Sequence, residues 1–174
     1  TFGLFGLKAL WPLIKFITAL LVGCLSLALL YSIVIVVYLK KSAFAFFKKI
    51  APALVFALST TSSGATLPLS MRCAEEELSI APRIGRFTLP LGCNFNLAGL
   101  SVYLTMAVIF TANMYSITLN FSDYLVLIST VALTTMGAGA IPGSGIVVMS
   151  AVVSGMGMPL GALPLIAGID RISD

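Results

Sequence analysis

Ser59-Thr60-Thr61-Ser62-Ser63-Gly64-Ala65-Thr66-Leu67-Pro68 sits in the middle of an uncharged stretch, Ile50 to Met71. The stretch has the length of a membrane-spanning helix but the wrong texture for one. Small and hydroxylic residues fill its centre. Pro68 removes a backbone donor, breaks helical continuity and biases Leu67 towards extended geometry. Backbone that leaves the helix inside a bilayer is tolerated only where protein buries it or where it lines a watery cavity. The expected local structure is therefore helix, polar break, helix, with a small-residue helix-packing face as the alternative.

The surrounding chain is lipid-like throughout. Its 174 residues are 59% hydrophobic and 9% charged, with a mean hydropathy of +1.11. That composition excludes a disordered chain, a nucleic-acid-binding domain and a water-soluble enzyme. There is no His, which removes imidazole bases, Ser-His triads and His-bound metals. Cys24, Cys73 and Cys93 are far apart and form no CxxC, so they read as small packing residues. No cleavable leader is recognisable, and the chain is expected to be part of a longer polypeptide.

Three more uncharged stretches flank the first. Phe16 to Leu39 is rich in Leu, Val and Ile and reads as an ordinary transmembrane helix, with Trp11 and Pro12 at its interfacial start. Phe87 to Ser122 is too long for one straight crossing and is interrupted at Gly92-Cys93-Asn94-Phe95-Asn96-Leu97-Ala98-Gly99. Tyr124 to Ile169 carries Gly137-Ala138-Gly139-Ala140-Ile141-Pro142-Gly143-Ser144-Gly145 near its centre. The arms on either side of that run are about 13 residues each, too short to cross at 1.5 Å per residue, and suit a re-entrant hairpin. The run lacks the Lys-Ser/Thr ending of a phosphate loop.

Charge placement decides how the first stretch sits. If it enters and leaves on one face, Lys40, Lys41, Lys48, Lys49, Arg72, Arg83 and Arg86 share a side, seven of the ten basic residues. The positive-inside rule makes that side cytoplasmic. A simple crossing would split them four and three. The same logic puts Asp123 outside, with the fourth stretch dipping in from there. The expected fold class is an all-α integral membrane protein with two re-entrant helical hairpins in inverted repeat, the architecture described for secondary transporters. Its expected parts are a transmembrane helix (1–40), a first re-entrant hairpin (43–79), a broken transmembrane helix (84–122), a second re-entrant hairpin (123–157) and the start of a last helix (159–174).

Three motifs then resemble the dicarboxylate/amino acid:cation symporter family, which includes the glutamate and aspartate transporters. They are Ser62-Ser63-Gly64-Ala65-Thr66-Leu67-Pro68 with Met71-Arg72-Cys73-Ala74-Glu75, then Leu89-Pro90-Leu91-Gly92 with Asn96 and Gly99. The third is Gly139-Ala140-Ile141-Pro142-Gly143-Ser144-Gly145 with Gly168-Ile169-Asp170-Arg171. The resemblance runs collinearly from Trp11 to Asp174 and implies the C-terminal portion of a transport domain. Two positions depart from it: Ala98 and Leu100 stand where the family's Asn-Met-Asp-Gly-Thr signature has Asp and Thr. Ala98 removes a cation-holding carboxylate, and Leu100 leaves room for a neutral substrate.

The resemblance implies a symporter that couples sodium, or alternatively protons, to small amino acids or dicarboxylates by an elevator-type movement. Substrate would meet the hydroxyls of Ser62 and Ser63, backbone groups from Ile141 to Gly145, and the carboxylate of Asp174. Sodium would be held by Gly92, Asn94 and Asn96 on the unwound helix and by carbonyls of Thr135, Met136 and Ala138 on the second hairpin. No other cofactor is implied. The partners implied are the transported solute, membrane lipid and, in the full-length protein, further copies in a trimer within the cell (inner) membrane; nucleic acid is not among them. A channel built from re-entrant loops, or a fragment inactive without its missing helices, are the competing readings.

Overall fold

The computed structural model describes residues 10–138 and 144–168, and every regular element among them is helical. The helices are α1 (Leu10–Leu39), α2 (Ala43–Thr60), α3 (Ser63–Arg72), α4 (Pro82–Phe95), α5 (Ala98–Met114), α6 (Phe121–Gly137), α7 (Ser144–Gly155) and α8 (Leu163–Ala167). A π turn, Cys73–Glu77, continues α3, and a 3₁₀ turn, Leu160–Ala162, precedes α8. Among the described residues, three segments are long and apolar enough to cross a membrane: Ile14–Leu39, Ala43–Thr60 and Pro82–Met114. The last of these contains the interruption between α4 and α5.

The described residues form two compact units, one of 10–24, 98–138 and 144–168, the other of 25–97. The first is built around α5. Its sequence is apolar on every side, which suits a helix buried all round, and Leu104, Ala107, Val108 and Thr111 are fully enclosed. Around it pack Phe16 and Leu20 of α1, Leu127 and Val131 of α6, Met149, Val152 and Val153 of α7, and Ile166 of α8. Phe16 meets Tyr103 and Phe110 edge-on, with ring centroids 6.3 and 5.3 Å apart. Gly23 lets α1 approach α5 closely: a Cβ there would lie 2.7 Å from Cγ1 of Val102.

The second unit has a thin interior. Ile35, Ala53, Thr66, Cys73, Ala74 and Gly85 are its buried residues, and α3 packs against both α2 and α4. The second half of α1 exposes Leu25, Leu29, Ile33, Val36 and Val37, a surface suited to lipid.

Two helix ends differ from the sequence reading. Pro68 does not break the chain; it lies inside α3, as Pro52 lies inside α2 and Pro90 inside α4. The break falls upstream, at Thr61 and Ser62, where side chains and backbone can cap both helix ends. The other difference is α6, which has 17 residues and starts at Phe121, ahead of the charge at Asp123. The Asp123 carboxylate accepts from the Asn120 N–H at 2.8 Å, a cap that draws the acid into the first turn.

Candidate functional site

The turn between α2 and α3 is where the chain leaves the helix. Thr61 adopts the left-handed region (φ 47, ψ 37), and its N–H donates to the Ala57 carbonyl at 2.8 Å, closing α2. A β-branched residue with positive φ is an outlier, and such strain collects at functional sites. Ser62 then caps α3, its hydroxyl accepting from the Ala65 N–H at 3.2 Å. Its carbonyl accepts from Thr66 twice, from the N–H at 3.1 Å and from Oγ1 at 2.8 Å. Thr66 is buried, whereas Ser63 and Gly64, the first two residues of α3, are exposed. Helix geometry leaves the first N–H groups without intrahelical acceptors. The turn therefore offers an exposed hydroxyl beside amide donors at the positive end of a helix dipole, a chemistry suited to a carboxylate. It also separates the two serines: the Ser62 hydroxyl caps the turn, whereas Ser63 is exposed at the first position of α3.

The second interruption lies between α4 and α5. Asn96 stands outside helical geometry (φ −115, ψ 63), and its N–H donates to the Gly92 carbonyl at 2.9 Å. The Asn94 amide donates back to the Pro90 carbonyl at 3.0 Å. Asn94 and Asn96 are both exposed, and Gly92 is half-buried. Pro90, inside this helix, has no N–H to donate to the Arg86 carbonyl. Oxygen donors of these kinds suit a hard cation.

Thr135, Met136, Ala138 and Gly145 belong to the first unit. Thr135 is buried near the end of α6, with Oγ1 donating to the Val131 carbonyl at 2.9 Å. Its own carbonyl accepts from the Ala138 N–H at 3.4 Å. Met136 is exposed, while Ala138 is buried and extended (φ −73, ψ 133). Gly145 is buried at the start of α7. Ile141 and Asp174 lie outside the described residues.

In the sequence the charges near the first break mark topology; the structure also gives them local tasks. Arg86 forms a two-pronged pair with Glu75, 2.8 and 3.2 Å, tying the π turn to α4. Arg72 pairs with Glu76 one turn on, at 2.9 Å, and the Lys49 ammonium donates to the Glu77 carbonyl at 2.6 Å, tying α2 to the π turn. The hydrogen bond and charge of Arg86 hold the Glu75 carboxyl below the usual carboxylate range. The i, i+4 spacing of Arg72 and Glu76 was a readable signal. The spacing of Arg86 and Glu75 was not.

The family model described as sodium:dicarboxylate symporter family matches residues 1–174. The chain belongs to that family. Curated relatives agree. Human excitatory amino acid transporter 2 is 36% identical over 152 residues, covering 87% of this chain and 26% of that protein. An excitatory amino acid transporter of Caenorhabditis elegans is 35% identical over 135 residues, covering 78% and 27%. Rat excitatory amino acid transporter 1 is 33% identical over 169 residues, covering 97% and 30%. The chain thus spans less than a third of the length of these relatives. Those relatives are named as transporters, and among the described residues of this symporter-family segment three stretches are long and apolar enough to cross a membrane.

Proposed function

We propose that this segment of the symporter family belongs to the transport domain of a protein that carries small amino acids or dicarboxylates across the membrane, driven by sodium. The observation that carries the reading is the turn at Thr61–Ser63: a strained, capped helix break that leaves the Ser63 hydroxyl and the first amides of α3 exposed. A carboxylate brought out of water needs such donors, because desolvation without hydrogen bonds is costly. The α2–α3 pair is read as a re-entrant hairpin whose base carries the shared basic residues, and the α6–α7 pair as its inverted counterpart. Substrate would lie on Ser63, with Ser62 holding the turn, and would be completed by Ile141, Gly145 and Asp174. Gly92, Asn94, Asn96, Thr135, Met136 and Ala138 are the proposed sodium contacts. Absence of a carboxylate at Ala98 favours a cation held mainly by neutral oxygens, with proton coupling as the alternative drive.

Coupling follows from linkage: cation and substrate each favour the same closed arrangement, so each raises the other's affinity. The domain would then move its cargo past a trimeric scaffold in the cell membrane in elevator fashion. The test is uptake of radiolabelled amino acids and dicarboxylates by vesicles containing the whole protein. A sodium gradient is expected to drive accumulation above the external concentration, and Ser63→Ala to weaken it. Uptake indifferent to both sodium and proton gradients would end the symport reading.

A further inference from the structure

Ala45, Lys48, Lys49 and Pro52 recur at helical spacing along one face of α2 and, with Glu77 at the end of the π turn, line an open groove of about 410 Å³. None of these residues serves the proposed transport site. The groove is held in shape by Lys49, whose ammonium donates to the Glu77 carbonyl at 2.6 Å; an ammonium has three protons, so two remain for a ligand. Lys48 is exposed and makes no ion pair among the described residues. The neighbouring acids are already engaged, Glu75 by Arg86 and Glu76 by Arg72. The lining therefore carries two lysines against Glu77, a net charge of +1, and Lys40 and Lys41 lie exposed just before the foot of the same helix. Beyond the lysines, α2 exposes Leu54, Val55 and Leu58, and Phe44 is exposed one turn before Lys48.

We propose that this groove holds the headgroup of an anionic phospholipid, with its phosphate on Lys48 and Lys49 and its acyl chains along the exposed apolar surface of α2. One phosphodiester carries the single negative charge that neutralises the lining. A free phosphate ion fits the groove less well, because exposed lysines give a soluble anion only screened contacts. A lipid adds apolar contact, and it is present at the high local concentration of the bilayer itself. The Ser42 hydroxyl already accepts from the Ala45 N–H at 3.4 Å, so recognition rests on the lysines and not on the helix end.

The test is native mass spectrometry of the purified protein equilibrated with phosphatidylglycerol and phosphatidylcholine. The expected result is one preferentially retained phosphatidylglycerol. Lys48→Gln should reduce that preference about fivefold, the effect of one basic residue near an anionic surface. Lys48→Arg should keep it, and Glu77→Gln should raise it. Equal retention of the two lipids, or a preference unchanged by Lys48→Gln, would overturn the proposal. So would displacement of the lipid by millimolar inorganic phosphate, which would make the groove a site for a soluble anion.

Discussion

Replacing the two adjacent serines one at a time separates fold from binding at the α2–α3 turn. Ser62 accepts from the Ala65 N–H at 3.2 Å, at the long end of the usual range. Its loss should cost the lower part of a helix cap's worth, about 0.5–1 kcal/mol, with Ser62→Gly costing only a few tenths. Ser63 is exposed at the first position of α3, so Ser63→Ala should leave stability within about 0.5 kcal/mol. If Ser63 donates to a carboxylate, its removal should cost about 1–3 kcal/mol of binding, roughly 5- to 150-fold in affinity. Thermal unfolding in detergent reads the first quantity, and equilibrium titration with substrate in sodium reads the second. The expected pattern is crossed: Ser62→Ala melts earlier, and Ser63→Ala binds more weakly at an unchanged melting temperature. A Ser63→Ala protein with full affinity, or one that loses stability while Ser62→Ala does not, would refute the assignment.

Gly23→Ala should destabilise the α1–α5 packing by about 1–3 kcal/mol through overpacking, since its Cβ would lie 2.7 Å from Val102 Cγ1; Val102→Ala in the same chain should restore most of the lost melting temperature. Thr61→Gly should stabilise by about 0.5–1 kcal/mol, because a left-handed conformation costs an L-residue more than glycine's added chain entropy; an earlier melt would show that Thr61 is not strained. The Arg86 hydrogen bond lowers the Glu75 pKa, so its stabilisation is fully present above the ordinary carboxylate value of about 4.3 and is lost as pH falls through the lowered one. Melting curves followed from about pH 6 down through and below the ordinary carboxylate value of about 4.3 should therefore show less acid sensitivity in Glu75→Gln.

The helical class, the broad placement of both breaks and the family were legible because each rests on local composition: apolar runs, hydroxyl clusters, glycines and asparagines. What stayed hidden depended on which backbone groups find partners. Pro68 looked like the breaker, yet a proline can sit within a helix when its surroundings tolerate one freed carbonyl. The chain turns instead at Thr61, whose conformation no propensity favours. Asp123 was read as a boundary because charges end apolar runs, whereas its carboxylate caps Asn120 and belongs to α6. At the candidate site, both serines stood out by chemistry. Only the hydrogen bonds at Ala65 and Thr66 distinguish the cap from the exposed hydroxyl. The tie between Arg86 and Glu75 had no signal in spacing, since the π turn and the reversal at Ser79 (φ 55) set their approach.

The central claim is that the chain from α2 through the π turn enters and leaves the membrane on one face, bringing Ser63 to substrate from within. Single cysteines at Lys41→Cys and Ser79→Cys, in protein whose Cys24, Cys73 and Cys93 have been replaced, can be labelled with an impermeant maleimide in sealed vesicles of known orientation. The account predicts that both label from the same side. Labelling from opposite sides would make α2 and α3 a simple crossing and would contradict it.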